Sequence, residues 1–200
     1  MTVRRLVVVP RWSGTPGSDW YPWIVDEIAN MRPRPFDPAV VAAMPEPDRP
    51  TIQAWVARVR EVLGDDPDEL ARTVVVGHSV GCQAVLRALA GLTAGRHVDR
   101  VVCVAGWFTV DAPWSELIPW IETPFDTARC RAAAGRGVTV LLSDDDPHTA
   151  DWRANGEAWR GRLGASVVDV SGAQHFNGPR YPSVLQTLLE TSSPDQGAPT

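Results

Sequence analysis

Cysteine is scarce in this chain. Cys82, Cys103 and Cys130 are odd in number and lack paired spacing, which rules out a disulfide framework and reads as reduced thiols, with Cys82 and Cys103 in apolar segments expected in the core. Positive charge is also in deficit: the net charge is −5 and no basic cluster offsets it locally, so there is no footprint for nucleic acid or an anionic membrane surface. No apolar run reaches membrane-spanning length. The N-terminus does not have the order of a signal peptide, because Leu6 to Val9 is short and is closed by Pro10. A cytoplasmic protein acting on a small molecule is therefore expected, a protein partner being possible without support. Internal repeats and domain-separating linkers are absent too. Residues 1–191 are expected to form one domain, and the Ser-, Pro-, Gly- and Gln-rich stretch 192–200 a disordered tail.

What is present is an ordinary globular composition, 44% apolar and 22% charged, arranged as alternating strand and helix patterns. Arg5 to Val9 suits a buried first strand. A loop from Arg11 to Gly17 leads to a helix, which Ser18 or Asp19 can cap, with Trp20, Trp23, Ile24, Glu27 and Ile28 at helical spacing. Ala39 to Ala43 is a weak second strand, and Thr51 to Leu63 a helix. Further strands are expected at Thr73 to Val76, Arg100 to Ala105, Val138 to Leu142 and Ser166 to Val170, with helices near 125–134, 150–163 and 181–190. Six strands separated by helices predict an α/β protein, a doubly wound parallel sheet with helices on both faces. Sites on such sheets lie at the carboxyl ends of the strands.

One stretch organises the rest. The run Thr73-Val74-Val75-Val76 leads into Gly77-His78-Ser79-Val80-Gly81, and Cys82, Val85, Leu86, Leu89 and Leu92 then recur at helical steps. This is Gly-x-Ser-x-Gly between a strand and a helix, the context of a nucleophile elbow with Ser79 at its apex. A Cβ at Gly77 or Gly81 would meet backbone in so sharp a turn, and the new helix aims free N–H groups at whatever binds beside Ser79.

A serine nucleophile needs a base, since its hydroxyl is protonated at neutral pH. His78 lies in the turn itself, His97 in a polar connection and His148 on a loop after Pro147; His175 directly follows the last strand, where it can fold back over the sheet edge. An orienting acid between serine and histidine in chain order falls in Ser143-Asp144-Asp145-Asp146-Pro147, which offers three aspartates at another strand end.

Taken together, Asp19-Trp20-Tyr21-Pro22-Trp23, Met44-Pro45-Glu46-Pro47, the elbow, Ser143 to Pro147 and Gln174-His175-Phe176 resemble the small serine hydrolases of the retinoblastoma-binding protein 9 family over residues 3–190. The resemblance implies a compact α/β-hydrolase without a cofactor or metal. In it Ser79 is the nucleophile, His175 the general base and Asp146 the orienting acid, with the backbone N–H groups of Val80 and a residue near Trp12 as oxyanion donors. Two positions depart from the family. Arg11-Trp12 replaces a Gly-rich loop start, placing a cation and an indole at the mouth of the site, and Gln174 replaces a glycine.

Nine tryptophans are many for 200 residues. Trp107, Phe108, Trp114, Trp120 and Phe125 crowd the Pro-interrupted segment after the fourth strand and suggest an apolar wall beside Ser79. Arg11 and Phe176 join Trp107, Phe108, Trp114 and Trp120 as expected pocket residues. The reading is a serine hydrolase cleaving an ester, thioester or amide through an acyl-enzyme, with an apolar acyl or aryl substrate. Acyl transfer by the same triad, or a non-catalytic binding protein on the same fold, are the alternatives.

Overall fold

Valine-rich segments build the centre of the molecule, as seen in a computed structural model that describes residues 4–190. The strands β1 (Arg4–Val9), β2 (Phe36–Val41), β3 (Thr73–His78), β4 (Arg100–Val104), β5 (Val138–Ser143) and β6 (Ser166–Val170) form one sheet, ordered β2-β1-β3-β4-β5-β6. Every pairing is parallel. β3 and β4 are buried along their whole lengths, so both faces of the sheet demand apolar side chains and the strands read as continuous apolar runs.

Alternation along each strand divides these side chains between two cores. Val7, Val9, Val75, Val101, Val140 and Leu142 pack against α2 (Ile52–Leu63), α4 (Val80–Ala90), α6 (Thr127–Ala133) and α7 (Trp152–Leu163). Leu6, Val8, Val74, Val76, Val102 and Leu141 pack against α1 (Tyr21–Asn30) and α8 (Pro182–Leu189). Helices therefore cover both faces. All of α4 is buried, so the helix behind Ser79 is packed on every side.

Several local expectations change. β2 begins at Phe36, ahead of the expected Ala39, and ends at Val41: it is an edge strand, where Pro38 can sit without interrupting a ladder on its free side. Neither Ser18 nor Asp19 caps α1. Ser18 Oγ accepts from Thr15 N–H and Asp19 grips Arg11, so Trp20 takes the cap position without a side-chain bond. Two short helices escaped the pattern: α3 (Pro67–Ala71), held by the Asp66 carboxylate accepting from the N–H groups of Asp68 and Glu69, and α5 (Ile118–Glu122). A single helical turn is too short to show periodicity. Among the described residues no helix is long and apolar enough to cross a membrane. The stretch 192–200, expected as a disordered tail, lies outside the described residues.

The strand order reverses direction between β1 and β3, leaving a crevice above their carboxyl ends. The loop carrying Arg11 and Trp12 enters it from β1, and Ser79 from β3.

Candidate active site

Ser79 sits on a strained backbone, φ 54° and ψ −121°, between β3 and α4. The closeness of that turn explains its two glycines. A Cβ on Gly77 would stand 2.6 Å from Cys82 Cα, and one on Gly81 would stand 2.5 Å from the carbonyl oxygens of Val9 and Pro10. Ser79 N–H bonds to the Val104 carbonyl at 2.9 Å, tying the turn to β4.

Three strand ends bring their polar groups together here. His175 Nε2 lies 2.9 Å from Ser79 Oγ, and His175 Nδ1 lies 2.8 Å from Asp146 Oδ2. Ser79, Asp146 and His175 are all buried. The other aspartates of the triplet serve the loops. Asp144 accepts from Gly172 N–H and Ser171 Oγ–H, each at 2.9 Å; Asp145 Oδ1 accepts from Gln174 N–H and lies the same 2.7 Å from Ser143 Oγ. The bonds to the 171–174 segment hold the histidine loop against the acid loop. Asp146 Oδ1 accepts from His148 N–H at 2.9 Å, so both oxygens of this carboxylate meet donors.

Among the described residues, the N–H groups of Val80 and Trp12 donate to no protein acceptor. Val80 N–H opens α4, where the helix dipole also favours negative charge. The Arg11 N–H, by contrast, is taken by the Tyr21 hydroxyl at 3.1 Å, and its guanidinium by Asp19 at 2.8 and 3.0 Å.

Beside Ser79 opens a cavity of about 400 Å³. Of the expected pocket residues, Arg11, Trp107 and Trp114 line it, as does Trp12. Trp107 Nε1 is 3.4 Å from Ser79 Oγ. Phe108, Trp120 and Phe176 are not brought to the cavity. Phe108 packs on Trp159 at 4.8 Å; Trp120 packs on Trp55 and gives its Nε1–H to the Pro50 carbonyl. Phe176 points into the opposite core, against Tyr181. Each buries its ring against aromatic or aliphatic neighbours in one of the two cores.

The walls also contain residues that sequence reasoning passed over: Val110, Glu116, Leu117, His148 and Asn177. His148 is the most prominent of these. Its ring meets His175 at 4.7 Å and Trp114 at 5.3 Å, both nearly edge on or steeply inclined. Burial, and then the neighbouring His175, hold its pKa below the ordinary histidine value. Its place two residues past the acid was the one signal available. Trp12 and Trp114 meet edge to face at 5.3 Å, joining the loop after β1 to the segment after β4.

The arrangement can move a proton from a hydroxyl to an imidazole at the wall of a cavity. Comparisons with known proteins bear on the family and the fold. A family model described as serine hydrolase matches residues 6–182. The protein YdeN of Bacillus subtilis (strain 168) is 20% identical over 146 residues, which is 71% of each chain. Its crystal structure superposes with a TM-score of 0.77 at 19% identity, covering 93% of this chain and 97% of that one. The RedJ thioesterase of the prodiginine pathway of Streptomyces coelicolor gives a TM-score of 0.58 at 18% identity, over 92% and 87%. Est1E of Butyrivibrio proteoclasticus gives 0.60 at 13%, over 94% and 86%. At these identities the solved structures speak for a shared α/β-hydrolase fold.

Proposed function

The chain belongs to the serine hydrolase family, and from that premise we propose that it cleaves an ester, thioester or amide through an acyl-enzyme on Ser79. The observation that carries the proposal is the unbroken hydrogen-bonded chain from Ser79 through His175 to Asp146 at the wall of a cavity. His175 Nε2 takes the serine proton as Oγ attacks the acyl carbon, and the N–H groups of Val80 and Trp12 receive the oxyanion. The imidazolium then protonates the leaving group. Water then attacks the acyl carbon as it loses a proton to His175. The bond to Ser79 Oγ breaks as His175 returns that proton to Oγ, releasing the acid, while Asp146 holds the imidazole by Nδ1–H throughout. The likeness to the retinoblastoma-binding protein 9 hydrolases supports the same roles residue by residue.

Indoles at Trp12, Trp107 and Trp114, with Val110 and Leu117, favour an apolar acyl or aryl group, since each buried methylene is worth about 0.8 kcal/mol. We place this activity in the cytoplasm on a small-molecule substrate, with no cofactor.

Labelling with a fluorophosphonate, followed by a panel of activated esters and thioesters, tests the reading. Wild-type protein reacts at Ser79, whereas Ser79→Ala neither reacts nor turns over and keeps its fold, the hydroxyl contributing little packing. Turnover surviving in Ser79→Ala would end the proposal.

A further inference from the structure

A buried line of hydrogen bonds runs behind Ser79 and joins the loop after β1 to the loop after β6. Arg11 N–H lies 3.1 Å from the Tyr21 hydroxyl, that hydroxyl 2.7 Å from His78 Nδ1, and His78 Nε2 2.9 Å from the carbonyl oxygen of His175. Tyr21 and His78 are completely buried. Strand alternation puts them together: His78 follows Val74 and Val76 on the α1 side of β3, one residue before Ser79.

The hydrogens in this line can be placed from its two ends. A backbone amide can only donate and a carbonyl can only accept, so Arg11 N–H gives to the phenol oxygen and His78 must carry a hydrogen on Nε2. Nδ1 of a neutral His78 is then bare, and the Tyr21 O–H gives to it. Burial, then the nearby His175, keep His78 well below its usual pKa, and burial keeps Tyr21 above its own. Neither group ionises near neutrality.

The segment that this line reaches is under strain. Gln174 has φ 50° and Phe176 φ 55°, so the residues on both sides of His175 hold left-handed backbone that side chains disfavour. Such conformations persist only where the surroundings over-determine them. Here Asp145 holds the Gln174 N–H, the Ala173 carbonyl holds the Phe176 N–H, and His78 holds the His175 carbonyl between them. At the other end Ser13 and Asp19 are also left-handed, at φ 56° and 51°. Both belong to the loop that begins with Arg11 and Trp12, and the Trp12 N–H meets no protein acceptor among the described residues.

We infer that Tyr21 and His78 are positioning residues, which through this relay hold the Trp12 N–H and the His175 imidazole in register on either side of Ser79. The inference rests on the roles proposed for Trp12, Ser79 and His175. A displaced base or oxyanion donor weakens stabilisation of the transition state while leaving the apolar cavity, and so substrate binding, largely as it was.

Two measurements test it. Nitrogen-15 NMR of histidine-labelled wild-type protein is expected to show His78 as the neutral Nε2–H tautomer; an Nδ1–H tautomer or an imidazolium at neutral pH would overturn the relay. In kinetics on one activated ester, Tyr21→Phe is expected to lower kcat about 10- to 100-fold with KM little changed, with phosphonate labelling slowed in parallel. His78→Gln, whose amide can accept from Tyr21 and donate to the His175 carbonyl, is expected to retain clearly more kcat than His78→Leu at comparable melting temperature. Folded Tyr21→Phe with wild-type kcat, or Gln and Leu variants equally active, would overturn the inference even if wild-type protein labels at Ser79. Wild-type protein that neither labels nor turns over would instead remove the reading on which it rests.

Discussion

Replacing each aspartate of Asp144-Asp145-Asp146 by asparagine gives one isosteric change in three different hydrogen-bonding positions. Asp146 has no acceptor to spare: Oδ2 faces His175 Nδ1 and Oδ1 faces His148 N–H, and both partners are donors when the histidine serves as base. An amide has only one oxygen. If that oxygen stays with His148, the NH₂ faces Nδ1 and forces the imidazole hydrogen onto Nε2, where it blocks acceptance of the Ser79 proton. The serine-protease precedent for this loss is about ten-thousandfold in turnover, or about 5 kcal/mol of barrier at 1.36 kcal/mol per tenfold. Asp145 differs, because the single atom Oδ1 makes both of its contacts and the amide oxygen can keep them. Asp144 is exposed, its pKa is lowered by the Gly172 N–H and then by Ser171, and an amide can accept from the former while donating to the hydroxyl of the latter. Asp144→Asn and Asp145→Asn are therefore expected to lose less than about tenfold in kcat, the scale of one modest neutral hydrogen bond. The assay is steady-state turnover of an activated ester by all three variants, with circular dichroism and melting to confirm folding. Near-normal turnover in Asp146→Asn alongside a dead Asp145→Asn would refute the assignment of the acid.

Three further outcomes are expected. Trp114 is half exposed at the cavity, so Trp114→Ala is expected to flatten the dependence of kcat/KM on acyl chain length without lowering the melting temperature, whereas a preserved steep profile would remove this indole from the pocket. Cys82, Cys103 and Cys130 are all buried, and burial raises the Cys103 thiol well above its usual pKa and pushes Cys130 up to about 12; iodoacetamide at neutral pH is expected to leave activity intact, and rapid inactivation prevented by Cys82→Ala would contradict this. His78 is buried neutral with a depressed pKa, so below the ordinary histidine range the unfolded chain binds the proton more readily and its contribution to stability falls with pH, by up to about 1.4 kcal/mol per unit. Denaturant melts from pH 7 to 5 in wild type and His78→Gln would detect it, and identical pH slopes would count against a neutral buried ring.

The readability of this protein from sequence varied with the range of the forces involved. β3, the elbow and β6 were legible because a valine run, two glycines and a strand-end loop are local signals, and chain order alone separated Ser79, the aspartates and His175. α3 and α5 left too few residues for a period to show. The pocket was harder. Trp107, Phe108, Trp114 and Trp120 look alike in sequence, all aromatic and close together, yet which ring faces Ser79 depends on the competing surfaces of Trp55 and Trp159 elsewhere in the chain. His148 and the Tyr21–His78 pair leave no local signal for the same reason, since their partners lie on other elements.

The left-handed residues around the cavity lead to an expectation about the order in which activity and fold are lost. Ser79, Gln174 and Phe176 each hold a backbone conformation costing about 1–3 kcal/mol, against a total stability of about 5–15 kcal/mol for a domain. Strain of this size offsets part of what the surrounding bonds contribute and lowers the cost of local opening below the global transition. On warming, turnover would then fade before the sheet melts, and a thermal inactivation curve would run ahead of the calorimetric one. At Gln174 a glycine would adopt the same φ without strain, so this chain carries at that position a tension that heat can release.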